Sequence, residues 1–152
     1  MQKITPFLWF DNNVEEAMAF YCSVFKNSHV VNVSPGPDGT VMSATFELDG
    51  QRLMALNGGP MFSFTPAISL FVNCETQEEV DEYWEKLSDG GSKERCGWLK
   101  DKYGLSWQVV PSILGTLLRD RDASKVNNVV QAMLQMKKLD IQGLQRAHEQ
   151  VA

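Results

Sequence analysis

One stretch of this sequence occurs twice in altered form, and this duplication constrains the fold more than any other feature. Residues 4–25 and residues 67–87 each read as a strand, a polar break and an amphipathic helix. Two pairs of neighbours match between the copies: Glu15-Glu16 with Glu78-Glu79, and Phe20-Tyr21 with Tyr83-Trp84. A repeated supersecondary unit usually buries its apolar face against a neighbouring copy. The sequence therefore predicts a pair of modules.

The segments after each helix predict three further strands per module. In the first copy a β-rich run covers 29–33, apolar and polar residues alternate over 42–48, and Asp49-Gly50 gives a two-residue hairpin turn into 52–57. The second copy repeats this order less clearly, in short runs over 93–98, 99–102 and 105–110. Each module is therefore predicted to be β-α-β-β-β.

Polar residues mark where the predicted helices begin. Asn12 or Asn13 is positioned to cap the first helix and Thr76 to cap the second. After Pro111 the pattern becomes helical over 113–118, 124–136 and 141–151, with Asp122 and Asp140 as N-caps of the last two. We predict an α+β fold in which residues 1–111 form one domain, with modules at about 1–60 and 66–111, and residues 112–152 form a C-terminal helical extension.

The composition excludes several classes of function. A net charge of −5 argues against nucleic acid, whose phosphates usually require a basic surface. Pro and Gly residues interrupt the longest uncharged stretch, so we expect no membrane span, and the first residues do not resemble a secretory signal. The three cysteines, Cys22, Cys74 and Cys96, are widely spaced, which fits a reducing cytoplasm better than a disulfide framework or a zinc motif.

Four segments of the chain match a known family pattern when they are taken together: TPFLWFDNNVEEAMAFY, NGGPMFSFTPAISLFV, CGWLKDKYGLSWQVVP and AMLQMKKLDIQGLQRA. With the doubled module they resemble the vicinal-oxygen-chelate superfamily, which includes glyoxalase I, bleomycin-resistance proteins and extradiol dioxygenases. Within it the chain is similar to the PhnB-like branch, often labelled 3-demethylubiquinone-9 3-methyltransferase. The resemblance implies a curved, mixed-sheet cup that holds a small molecule, and a homodimer, which we expect to have the C-terminal helices near its interface.

The resemblance also implies where a metal would bind. In metal-dependent members the ligands come from the first and last strands of each module, and these positions align here with Thr5, with Ala55 or Met54, with Ala67 and with Gln108. Gln108 alone offers a plausible donor, whereas transition metals generally require several imidazole, carboxylate or thiolate groups. The two histidines, His29 and His148, have no partner motif around them. We therefore predict neither a bound metal nor another cofactor.

Alternation along the strands separates a core face from a ligand face. We expect one set of side chains to pack under the helices: Ile4, Pro6, Leu8 and Phe10 in the first copy, and Ile68, Leu70 and Val72 in the second. The other set mixes aromatic, small and polar groups, which suits a small, largely apolar or aromatic ligand. The predicted ligand-binding residues are Thr5, Phe7, Trp9, Asn57, Phe62, Ser69, Phe71, Trp98 and Gln108.

Several functions remain open at this point. The favoured one is small-molecule binding without a metal, and the first alternative is a glyoxalase-like or dioxygenase-like enzyme with an atypical metal site or a reactive Cys96. A methyltransferase is less favoured, because no helix follows the glycine pair at 58–59. Asp101 and Tyr103 are interpreted as solvated residues of a turn, and no general base is assigned. A purely structural protein that acts through its C-terminal helices is the third hypothesis.

Overall fold

The structure, a computed structural model, describes residues 2–150 and divides into two compact units, Met1–Phe64 and Thr65–Ala152. Each unit contains one copy of the predicted module. Within the described residues there are two four-stranded sheets and five helices. Both sheets are mixed and neither closes on itself, so the predicted α+β fold with two β-α-β-β-β modules is confirmed.

The first unit contains one mixed sheet and one helix. Its elements are β1 (Phe7–Phe10), α1 (Val14–Val24), β2 (His29–Pro35), β3 (Val41–Leu48) and β4 (Gln51–Asn57). The strand order is β1-β4-β3-β2, with β1 parallel to β4 and the other pairs antiparallel. Asp49 and Gly50 have φ of 48° and 84°, the pair of positive values that a type I′ hairpin turn requires.

Helix α1 covers one face of this sheet and forms the core of the unit with it. Tyr21 and Val14 of α1 are fully buried, as are Phe46 of β3 and Ala55 of β4. Leu8 and Phe10 are also buried, as predicted from the alternation. Ile4 is not, since β1 begins only at Phe7, and its side chain is 87% exposed.

The start of α1 is stabilised by a residue that lies far away in the sequence. Asn13 occupies the N-cap position, but its side chain makes no capping hydrogen bond. The amide of Val14 instead donates to Oδ1 of Asn57 at 3.0 Å, and Nδ2 of Asn57 donates to the carbonyl of Val41 at 3.0 Å. The predicted local cap is therefore replaced by a side chain from the end of β4.

The second unit repeats the same topology. Its module consists of β5 (Ser69–Cys74), α2 (Gln77–Ser88), β6 (Ser92–Lys93), β7 (Trp98–Lys100) and β8 (Ser106–Pro111), in the order β5-β8-β7-β6. Thr76 caps α2 as predicted, since its hydroxyl accepts from the amide of Glu79 at 3.2 Å.

Two expectations for this module are wrong. The predicted strand over 93–98 ends after Lys93, because Cys96 and Gly97 have φ of 60° and 82° and form a turn before β7. Ile68 was expected in the core, but it precedes β5 and is 74% exposed.

Three further helices complete the second unit: α3 (Ser112–Leu118), α4 (Ala123–Leu134) and α5 (Ile141–Glu149). Asp122 and Asp140 accept hydrogen bonds from the first-turn amides of α4 and α5, as predicted. The predicted end of the last helix at Val151 lies outside the described residues. The helices share a buried cluster with the end of β8, formed by Val110, Leu114, Leu117, Val129, Leu139 and Leu144.

Three contacts beyond this cluster stabilise the helical segment. The amides of Cys96 and Gly97 donate to the carbonyls of Met136 and Lys137 at 2.9 and 2.8 Å. His148 of α5 lies 2.8 Å from Asp120 in the connection that precedes α4.

Among residues 2–150, none of the helices has the length and apolar character needed to cross a membrane.

Candidate functional site

Three of the predicted ligand-binding residues form a row across the second sheet. The register places Phe71 of β5 opposite Gln108 of β8, and Gln108 opposite Trp98 of β7. The alternate residues Leu99 and Val109 are fully buried on the other face, which α2 covers. Because successive strand residues point to opposite faces, the side chains of the row lie on the face away from α2.

A cavity of about 280 Å³ borders this row and is called here the sheet-face cavity. The row and Cys96 contribute from the sheet side, and α3 and α4 contribute aliphatic side chains. Its volume lies near the lower end of the range for small-molecule sites, about 300–1,000 Å³. The lining residues are Phe71, Cys96, Trp98, Gln108, Val110, Leu114, Gly115, Leu118 and Met133.

Gln108 is the polar side chain of the row, and a neighbouring strand fixes its orientation. Its Nε2 donates to Oγ of Ser69 at 2.9 Å, which joins two predicted site residues directly. Among the hydrogen bonds formed by residues 2–150, none reaches Oε1 of Gln108. The arrangement therefore presents one oriented amide oxygen beside two aromatic rings.

Cys96 is the cysteine that borders the sheet-face cavity. The pKa of the Cys74 thiol is raised to about 12, chiefly by burial and further by the nearby carboxylates of Glu79 and Glu75. Burial also raises the pKa of Cys22. Since a nucleophilic cysteine must reach its thiolate form, Cys74 and Cys22 are unsuited to that role at neutral pH.

Asp101 is not a solvated turn residue, as the sequence suggested, because its side chain is only 2% exposed. Its Oδ1 accepts from the amides of Tyr103 and Leu105 at 2.8 and 3.1 Å, and its Oδ2 accepts from Nε1 of Trp107 at 2.9 Å. A single carboxylate thus closes the turn between β7 and β8 and anchors a core indole. Burial of a charged group is favourable only with such partners.

The predicted site residues of the first unit divide into an aromatic group and a structural residue. Trp9 and Phe62 form an edge-to-face pair with ring centroids 4.9 Å apart, and Nε1 of Trp9 donates to the carbonyl of Gly59 at 2.9 Å. Phe7 lies on the same face of β1 as Trp9, and Thr5 precedes the strand. Asn57 uses both ends of its amide within this unit, as described above.

The aliphatic wall of the sheet-face cavity could not be predicted from the sequence. Leu114 and Leu118 are one turn apart on α3, and Met133 lies on α4. Their helical spacing was visible, but it could not show that this face would turn towards the second sheet. Their position depends on tertiary contacts, including the hydrogen bonds between the turn at 96–97 and the segment at 136–137.

The residues aligned with the superfamily's metal positions do not fit a metal. Ala55 is fully buried in the core of the first unit, and Ala67 has no donor group. Gln108 offers one neutral amide oxygen, and Thr5 offers one hydroxyl. Among residues 2–150, no three His, Cys, Asp or Glu side chains are grouped so as to hold an ion. Hard and borderline metals require several such donors.

The doubled module, with its first strand parallel to its last, is the fold of the vicinal-oxygen-chelate superfamily. A solved PhnB protein from Bacillus cereus is 43% identical, with a TM-score of 0.69, and the match covers 73% of this chain and 100% of that chain. The family model described as 3-demethylubiquinone-9 3-methyltransferase matches residues 2–110. The chain belongs to this family, which confirms the predicted resemblance.

Two more distant structures support the fold alone. Protein PA1353 from Pseudomonas aeruginosa is 21% identical, with a TM-score of 0.61, over 73% of this chain and 98% of that chain. The fosfomycin resistance protein FosX from Listeria monocytogenes is 17% identical, with a TM-score of 0.61, over 78% of this chain and 98% of that chain. Comparison with curated proteins gave no match.

Proposed function

We propose that this chain binds a small, largely apolar or aromatic molecule in the sheet-face cavity, without a bound metal. The observation that carries the proposal is the row of Phe71, Gln108 and Trp98 across three strands, which borders one cavity with aliphatic side chains of α3 and α4. The rings and the aliphatic groups would remove apolar ligand surface from water. Oε1 of Gln108 would accept one hydrogen bond and orient the molecule.

The first unit offers a second apolar surface for such a ligand. Phe7 and Phe62 are 51% and 59% exposed, so they contribute little to the core of the unit, and Trp9 packs against Phe62. We include these residues and Thr5 in the proposed ligand-binding set. For Asn57 we propose a structural role, since its amide already stabilises the start of α1.

The binding proposal is tested by NMR titration of the full-length protein with a series of small aromatic alcohols, beginning with benzyl alcohol. We expect saturable shifts of the Trp98 indole and the Gln108 side-chain amide. The Gln108→Ala variant should bind about fivefold more weakly or worse, because a hydrogen bond between neutral groups contributes about 1 kcal/mol or more. Gln131→Ala, a change at an exposed position of α4, is the matched control.

The titration has two results that would count against the proposal. One is a ligand whose affinity is the same in the Gln108→Ala, Trp98→Ala and control variants. The other is the absence of any saturable shift throughout the series, which would instead support a structural role for the chain.

A second candidate is a thiol-dependent enzyme, because Cys96 borders the same cavity. Its test is alkylation by iodoacetamide, in which the thiolate attacks the methylene carbon, iodide leaves and the thiol proton passes to water. Modification of Cys96 that is faster than that of free cysteine and is slowed by a cavity ligand would favour this candidate. Modification at the rate of an ordinary thiol, unaffected by the ligand, would exclude it. An atypical metal-dependent enzyme would instead require stoichiometric metal in the purified protein and loss of activity on chelation.

The family description names methyl transfer, but the glycine pair at 58–59 does not form a binding loop for a methyl-donating cofactor. The amides of Gly58 and Gly59 donate to the carbonyls of Phe10 and Asp11 at 2.8 and 2.9 Å, so they are not free to bind a cofactor. The next regular element is a strand rather than a helix. Saturable calorimetric binding of S-adenosylmethionine would reverse this judgement.

We also propose a cytoplasmic homodimer with the C-terminal helices near the interface. Part of the apolar surface of these helices is used within the second unit, where Val129 and Leu144 are fully buried, but Leu134 is 43% exposed. Light scattering at micromolar concentration should give twice the mass of 17.1 kDa. A monomer mass would contradict the proposal.

A further inference from the structure

A second cavity of the second unit, about 640 Å³ in volume, is bordered by charges of both signs. It lies between the end of β5, α3 and α5, and it is called here the helix cleft. Arg119 and Glu75 both line it. None of the ion pairs formed by residues 2–150 includes either of them. The cleft therefore has a cation and an anion that do not neutralise each other.

The guanidinium of Arg119 folds back along α3. Its Nη2 lies 3.5 Å from Oγ1 of Thr116, and a Cβ added at Gly115 would lie 3.3 Å from Nη1. The missing side chain at Gly115 thus leaves the space in which the guanidinium lies. An arginine in this position presents its remaining donors to the cleft, and such donors are suited to a carboxylate.

Glu75 is held on the same side of α3. Its Oε2 accepts from Oγ of Ser112 at 3.0 Å. Ser112 and Thr116 are four residues apart, so they lie on one face of the helix and about 6 Å apart along its axis. The two charges therefore have neighbouring partners on one face of α3 and border the same cleft, where the adjacent carboxylate and ammonium groups of one small molecule could contact both. Val110 and Ile141 provide apolar surface in the same cleft.

We propose that the helix cleft binds a small amphoteric molecule with an apolar side chain, of the amino acid class. Arg119 would bind its carboxylate, Glu75 its ammonium group, and Ile141 and Val110 its side chain. Thr116, Arg119 and Ile141 follow residue 110, where the family match ends. The helix cleft adjoins the sheet-face cavity, with which it shares Phe71, Val110 and Gly115, but Arg119 and Glu75 line only the cleft.

The test compares L-leucine with two analogues that each lack one charge, 4-methylpentanoate and 3-methylbutylamine. Each is titrated at low ionic strength into the ¹⁵N-labelled full chain, with the amides of Thr116 and Gln145 as reporters. L-leucine should give saturable shifts, and each analogue should bind at least about tenfold more weakly, because one charge-assisted hydrogen bond is lost. Equal binding of L-leucine and either analogue would overturn the proposal.

Charge-neutral variants test the assigned residues. Arg119→Gln and Glu75→Gln should each weaken L-leucine binding about tenfold. The controls Arg121→Gln and Glu78→Gln remove the same charges outside the cleft and should leave L-leucine binding unchanged. All four positions are exposed, so the fold should persist, which circular dichroism checks. If the variants at 119 and 121, or at 75 and 78, changed the L-leucine affinity equally, net charge alone would account for binding and the proposed site would be refuted. Absence of saturable shifts with L-leucine, L-methionine and L-phenylalanine would also refute it. The reporters Trp98 and Gln108 record the sheet-face cavity separately.

Discussion

The buried carboxylate of Asp101 provides the sharpest test of how the second module is stabilised. In an Asp101→Ala variant, three donors lose their acceptor: the amides of Tyr103 and Leu105 and the indole Nε1–H of Trp107. Hydrogen bonds to charged groups contribute about 1.5–3 kcal/mol each. Leu105 and Trp107 are only 2% and 3% exposed, so the Leu105 amide and the Trp107 indole lose their acceptor where water does not replace it, whereas Tyr103 is partly exposed. We therefore expect the free energy of unfolding to fall by about 3–5 kcal/mol.

A milder change separates the turn from the indole. In Asp101→Asn the amide oxygen can keep both turn bonds, but its NH₂ group then faces the Nε1–H of Trp107, so donor meets donor. This should cost about 2 kcal/mol. In a Trp107→Phe background no indole donor is present, and the same change should cost at least about 1 kcal/mol less.

Urea unfolding followed by far-ultraviolet circular dichroism measures all four corners of this cycle. Asp89→Asn, which neutralises an exposed carboxylate at the end of α2, serves as the control and should change stability by less than about 0.5 kcal/mol. A loss below about 1 kcal/mol for Asp101→Ala would show that the turn forms without its carboxylate. Equal costs of Asp101→Asn in both backgrounds would show that the contact with Trp107 is not stabilising.

Three further predictions concern other stabilising contacts. Asn57→Ala removes the acceptor of the Val14 amide and the donor to Val41, so the free energy of unfolding should fall by about 1–3 kcal/mol in a urea titration, whereas Asn12→Ala should change it little. Gly97→Ala should lower the melting temperature more than Gly39→Ala. Both glycines have φ of 82°, but a Cβ added at Gly97 would lie 2.9 Å from the carbonyl oxygen of Val109, whereas a Cβ at Gly39 would have no atom within 4 Å. Equal decreases in melting temperature would refute the steric argument. The pKa of the Asp120 carboxyl is lowered, first by the hydrogen bond from the amide of Asp122 and then by His148. The ionised carboxylate therefore stabilises the fold above the ordinary pKa of 3.8, and this contribution is lost as the pH falls through the lower folded pKa. Asp120→Asn should make the stability less dependent on pH below about pH 4, and an unchanged pH dependence would contradict this.

The sequence was sufficient for features that depend on local chemistry. Thr76, Asp122 and Asp140 cap their helices because their side chains need only the amides of the following turn. The alternation over 42–48 predicted β3 almost to the residue. Gly50 follows Asp49 in a turn that accepts few other residue pairs.

Features that depend on distant residues could not be predicted. The cap of α1 comes from Asn57, which carries no local signal for that role and was interpreted as a ligand group. Asp101 looked like a residue of an exposed turn, since nothing nearby shows that Trp107 would place its indole against the carboxylate. The aliphatic wall of the sheet-face cavity required the docking of α3 and α4, which no pattern in the second module encodes.

The residues of the proposed binding site lie partly inside and partly outside the segment that matches the family, which limits what family membership says about the ligand. Phe71, Trp98 and Gln108 lie within residues 2–110, which match the family model, whereas Leu114, Leu118 and Met133 follow it. Ligand size and shape depend on all of the walls of a cavity, so the part that the family shares cannot by itself determine which molecule this chain prefers. The helical segment is held by a turn at Cys96 and Gly97 that also places a thiol at the cavity. In the proposed binding function, selectivity is therefore coupled to the docking of α3 and α4, and we expect substitutions at Leu118 or Met133 to change ligand preference without altering the sheet.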